Sequence, residues 1–131
     1  MKKTLLVIAL IITAIVSSKN NSGKEYLDVE KSKICKSYIG QIFSKPIGII
    51  QNYKNEDGLT YVRYTRSSDS TRWSYVCDIS NDQIVWAAWL NDSNKWGRWR
   101  QEDKTNLTYD KDKNEVSFKL KGRSNITRVT L

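Results

Sequence analysis

Apolar residues run almost unbroken from Leu5 to Val16, and no later stretch of the chain repeats that density. Met1-Lys2-Lys3 precedes the run, and Val16-Ser17-Ser18 follows it with small or aliphatic residues suited to a cut after Ser18. A basic start, a short apolar stretch and a small-residue site predict a secretory signal peptide over residues 1–18. A spanning helix needs about 20 apolar residues, and the polar stretch Ser17 to Lys24 ends this run well short of that. No transmembrane segment is therefore expected after cleavage, and the expected location is periplasmic or secreted. No cysteine stands at the cut, which argues against a lipoprotein.

Residues 19–25 are polar and predict a flexible N-terminal tail. Residues 26–131 then read as a single α+β domain. Ile34, Tyr38 and Ile42 recur every four residues, as do Cys35, Ile39 and Phe43, and together they form one apolar helical stripe. Asp28 and Glu30 favour the positive end of a helix dipole, and Pro46 disfavours helix at Lys45. A helix from Val29 to Ser44 follows, with Cys35 on its buried face.

Beyond Pro46 the apolar period becomes two. Strands are expected over Ile47 to Tyr53, Leu59 to Arg66, Arg72 to Ile79, Gln83 to Leu90, Thr105 to Asp110, Glu115 to Lys121 and Ile126 to Leu131, with Trp96 to Arg100 short and extended. Asn55 to Gly58, Ser80 to Asp82 and Lys111 to Asn114 are turn signals. Trp73, Tyr75, Cys77 and Ile79 share one strand face. Trp86 and Trp89, three apart, point to opposite faces of a regular strand. The expected architecture is one N-terminal amphipathic helix packed on an antiparallel meander of about six short strands. A small β-barrel with the helix as a lid is the structural alternative.

Composition sharpens this picture. The chain has two cysteines, Cys35 and Cys77, and no histidine. Without histidine there is no Ser-His-Asp triad and no His-containing zinc site. Neither a metal site nor a cofactor is expected. In an oxidising compartment the two cysteines are expected to pair and pin the helix to the sheet. The formal charge is +8, lowered by two if Lys2 and Lys3 are removed. The excess is spread evenly over residues 19–60, 61–100 and 101–131, which argues against a nucleic-acid footprint. Folding can still gather charge, and Lys119, Lys121, Arg123 and Arg128 all follow the last acid, Glu115.

The most uneven feature is aromatic and basic. All five tryptophans lie between Trp73 and Trp99, and five of the seven arginines lie between Arg63 and Arg100. Trp, Tyr and Arg dominate binding hot spots. Arg63, Arg66, Arg72, Trp89, Arg98, Trp99 and Arg100 are therefore the candidate binding residues, and no catalytic residue is assigned. The leading functional reading is a non-enzymatic, inhibitor- or immunity-like module docking an envelope protein or glycan. The alternative is a carboxylate-based hydrolase of envelope polymers, which needs two carboxyl groups flanking a cleft. Asp69, Asp78, Asp82, Asp92, Glu102 and Asp103 are its candidates.

Thr71-Arg72-Trp73-Ser74-Tyr75-x-Cys77, then Ile84-x-Trp86-Ala87 and Gly97-Arg98-Trp99-Arg100, resembles a group of small exported bacterial proteins. These pair an N-terminal cysteine helix with a sheet bearing this string. The resemblance covers about Ile34 to Tyr109. It implies export and the helix-on-sheet fold, and it carries no activity.

Overall fold

The computed structural model describes residues 23–131. The expected signal peptide and residues 19–22 of the expected tail lie outside the described residues. Within the rest of that tail, Lys24 is half-buried. Its ammonium lies 4.7 Å from the centre of the Tyr109 ring and 3.5 Å from Glu30.

Helix α1 spans Asp28–Phe43, one residue earlier at each end than the spacing predicted. Asp28 and Glu30 occupy its first turn, and the Glu30 carboxylate accepts a 2.9 Å bond from the Leu27 backbone N–H. At the other end Ser44 turns left-handed at φ 55°, and the Lys45 N–H returns to the Gly40 carbonyl at 2.8 Å. Pro46 follows this reversal and could not have continued the helix.

Nine short strands follow: β1 Gln51–Glu56, β2 Leu59–Thr65, β3 Arg72–Ser80, β4 Gln83–Leu90, β5 Lys95–Trp96, β6 Thr105–Asn106, β7 Thr108–Asp110, β8 Glu115–Phe118 and β9 Thr127–Thr130. They form two antiparallel sheets. The larger has six strands in the order β1-β2-β3-β4-β5, with β6 also pairing β4, and the smaller is β7-β8-β9. The α+β meander is as expected, but divided into more and shorter strands. Ile47–Ile49 is a 3-10 turn rather than the start of a strand, and Ile47 and Ile49 are exposed. Of the stretch Trp96 to Arg100, expected to be extended, only Trp96 is regular strand, at the end of β5. The N–H groups of Gly97 and Arg100 still donate to the β4 carbonyls of Ala88 and Trp86, both at 2.8 Å.

Turn chemistry sets the strand register. Glu56 faces Leu59 and Ser80 faces Gln83 across two-residue hairpins. Asp57 and Gly58, and likewise Asn81 and Asp82, have positive φ. Such turns match the twist of the strands they join.

The buried side of α1 carries Ile34, Cys35, Tyr38 and Ile39, all fully buried. They pack into one core with Val62, Tyr75, Cys77, Ile84 and Trp86 of the larger sheet and with Val116, Phe118 and Val129 of the smaller. Fully burying one large apolar side chain is worth about 1.5–3 kcal/mol, so this stripe holds both sheets to the helix. Cys35 and Cys77 form the expected disulfide, with Cα atoms 6.0 Å apart.

The outer face of the larger sheet has no helix, and aromatic side chains cover it instead. Ring centres of Tyr53 and Tyr61 lie 6.1 Å apart, those of Tyr61 and Trp96 5.5 Å, and those of Trp96 and Trp89 5.4 Å. Tyr61 and Trp96 sit on strands separated by β3 and β4, so their rings meet only by leaning across the sheet. Beneath that row Val76 and Ala87 are buried although they point away from the helix. A bulge in β1 between Asn52 and Lys54 brings Tyr53 and Lys54 together over this face.

Candidate binding cleft

Where α1 stops at Phe43, the inner face of β3 and β4 is left partly uncovered. The result is a cleft of about 490 Å³, within the usual range of ligand sites. Phe43, Trp73, Tyr75 and Trp86 form its aromatic wall, and Arg100 and the hairpin residues Asn91, Asp92 and Ser93 form its polar side. The rings interlock: Phe43 stacks on Tyr75 with centres 4.7 Å apart and meets Trp86 edge-on at 5.2 Å. Stacked and edge-on pairs of this kind are each worth about 0.5–1.5 kcal/mol beyond the area they bury, so the rings hold one another in place.

Two guanidinium groups complete the site. Arg100 lies 5.4 Å from the centre of the Trp86 ring and Arg66 lies 5.3 Å from that of Trp73. Arg66 is oriented by Asp69, which accepts from both Nε and Nη2 of the guanidinium. That pair, with the Thr71 backbone N–H at 3.0 Å, holds the Asp69 carboxyl well below the usual carboxylate range. Burial pushes the Tyr75 phenol well above its ordinary value, so it stays neutral.

The candidate residues do not form one surface. Arg100 lines the cleft and Arg66 reaches its margin through Trp73, whereas Trp89 only borders it and turns its ring to the outer sheet face against Trp96. Arg63 lies on the opposite sheet face, 4.5 Å from the centre of the Tyr53 ring. Arg72 is exposed at the start of β3, where its carbonyl accepts from the Asn91 side chain at 3.2 Å. Arg98 is engaged by Glu102 through two bonds of 2.9 and 2.7 Å, and Trp99 is half-buried. Phe43, Tyr75 and Trp86 were not among the candidates, because alternation alone assigned the Trp73–Tyr75 face to the core. The position of Pro46 held the missing signal, since it marks how soon the helix must stop and so where its cover over the sheet ends.

The acidic residues are dispersed. Asp69 is paired with Arg66 and Glu102 with Arg98. Asp103 accepts the Trp86 indole N–H at 3.0 Å. Asp78 lies on the outer sheet face, Asp82 is in an exposed turn, and Asp92 is the one carboxylate of the aromatic cleft. The five best-formed clefts among the described residues each have at most one carboxylate in their lining. No helix among those residues is long and apolar enough to cross a membrane.

Compared with protein-family models, curated proteins and solved structures, the chain matches none.

Proposed function

We propose that this chain is an exported binding module, without catalysis of its own, that docks an envelope ligand in the aromatic-arginine cleft. The carrying observation is the cleft itself: the half-buried rings of Phe43 and Trp73 stand over a floor of the buried Tyr75 and Trp86, edged by Arg100. Apolar ring faces beside amide, hydroxyl, carboxylate and guanidinium groups suit a sugar, which has an apolar face and a polar edge. A concave site favours a glycan strand over the flat epitope of a folded protein. Export is supported by the signal-peptide pattern of residues 1–18 and by the buried Cys35–Cys77 disulfide.

Trp73 and Trp86 line the cleft and serve as the reporters. Titration with cell-wall glycan oligomers should change tryptophan emission saturably. Arg100→Ala should weaken binding at least about tenfold, the scale of losing a hydrogen bond to a charged group, with an unchanged far-UV spectrum. An unchanged emission across the series, together with no retention on immobilised peptidoglycan, would overturn this reading.

A further inference from the structure

A second and larger cleft lies on another side of the molecule and has different chemistry. This groove, about 700 Å³, runs between the segment leading into β6 and the chain joining β8 to β9. Lys104 stands on one wall, and Lys119, Lys121 and Arg123 stand on the other. Among the described residues no Asp or Glu lines it. None of these four cations belongs to a salt bridge among those residues.

The local fold explains why the charges converge. Phe118 and Leu120 are buried, so alternation turns Lys119 and Lys121 outward together. Gly122, at φ +79°, allows the tight turn that follows. Arg123 is then tied back to the C-terminal end of α1, donating 2.6 Å to the Gln41 carbonyl and 3.5 Å to that of Ile42. Those bonds fix the guanidinium in place and leave others of its five donors available. Lys119, Lys121 and Arg123 are already close in sequence, and folding adds Lys104 from across the groove.

We propose that this groove binds a linear phosphodiester polymer that carries no bases. Cations on both walls of a long groove match a string of anions better than a single one. Asp103 shares a small adjoining cleft with Lys121 and Arg123, but its carboxylate accepts the Trp86 indole N–H and forms no salt bridge with them among the described residues, so no ion pair must be broken. Nucleic acid fits less well, because single strands are held by stacking on exposed aromatic rings, and the groove's one ring, Phe118, is 3% exposed. The proposal does not depend on the aromatic cleft or on what that cleft binds.

The test is fluorescence anisotropy of the disulfide-bonded protein with labelled poly(glycerol phosphate) between about 50 and 200 mM salt. Binding should weaken steeply with salt. Lys119→Glu/Lys121→Glu should reduce affinity at least about tenfold and flatten the salt dependence, since two phosphate contacts are lost. Lys111→Glu/Lys113→Glu makes the same charge change in the exposed β7–β8 turn and should cost less than about threefold, being screened by salt. Equal losses in the two variants would overturn a localised site. So would the absence of binding at the lowest salt. A single-stranded oligonucleotide of equal charge that bound as tightly or more tightly would overturn the preference for a polymer without bases.

Discussion

Individual side chains here do work that residue type alone does not disclose. Asp103 has the composition of a candidate acid, yet its carboxylate accepts the Trp86 indole N–H while its carbonyl accepts from Tyr38 and Thr105, both at 2.7 Å. It joins helix, sheet and the segment before β6. Glu102 is held differently, at the surface. Bonds from Arg98, then a backbone N–H, push its carboxyl down to about 2. A carboxyl lowered on folding adds stability above its unfolded value of about 4.3, and that stability is lost as pH falls through the folded value. Because the pair is solvent-exposed, its contribution is small and salt-sensitive. Carbon-detected NMR titration should place the Glu102 midpoint near 2, and Arg98→Ala should return it towards the ordinary range.

At the scale of elements, the reversal at Ser44 that ends α1 brings the chain back against Gly40 and requires that residue to have no side chain. Gly40 is buried, and a Cβ placed there would stand 2.7 Å from the Lys45 carbonyl oxygen, where the chain folds back after Ser44. Alanine normally improves a helix by about 1 kcal/mol over glycine. Here Gly40→Ala should instead destabilise the domain, by about 1–3 kcal/mol, because a backbone carbonyl must move. Urea unfolding of the two proteins measures the sign directly. The helix itself was legible from Ile34, Cys35, Tyr38 and Ile39, since a fully buried stripe imposes its period. The strand limits were less legible. Ile47 and Ile49 look like strand residues, but a 3-10 turn carries them into solvent.

For the molecule as a whole, the Cys35–Cys77 bond closes the helix against the centre of the larger sheet, across a sequence separation of 42 residues. In the chain-entropy model a loop of that length is worth about 4 kcal/mol, a large part of the usual 5–15 kcal/mol net stability. Both cysteines are fully buried, so reductant reaches the bond only after the core opens. Dithiothreitol should therefore leave the native protein oxidised for hours in buffer and reduce it rapidly near the urea midpoint. Once reduced, the protein should unfold at a lower midpoint by the equivalent of about 4 kcal/mol. Rapid reduction in buffer, or an unchanged midpoint, would contradict this account.

The sequence by itself determined the helix, its buried stripe, the hairpin turns at Gly58 and Asn81, the antiparallel meander and the pairing of the cysteines, but not the division into two sheets or the return of β6 to β4. Each follows from local periodicity, turn chemistry or the count of thiols. Only the tertiary structure decided which aromatic and basic residues share a surface. Arg63 and Arg66 are three apart, yet one lies over Tyr53 on the outer sheet face and the other over Trp73 beside the cleft. Lys104 and Lys119 are far apart in sequence and line the same groove. Period two separates neighbouring strand residues onto opposite faces, while hairpins bring distant ones together, so a binding surface belongs to the sheet and not to any stretch of chain.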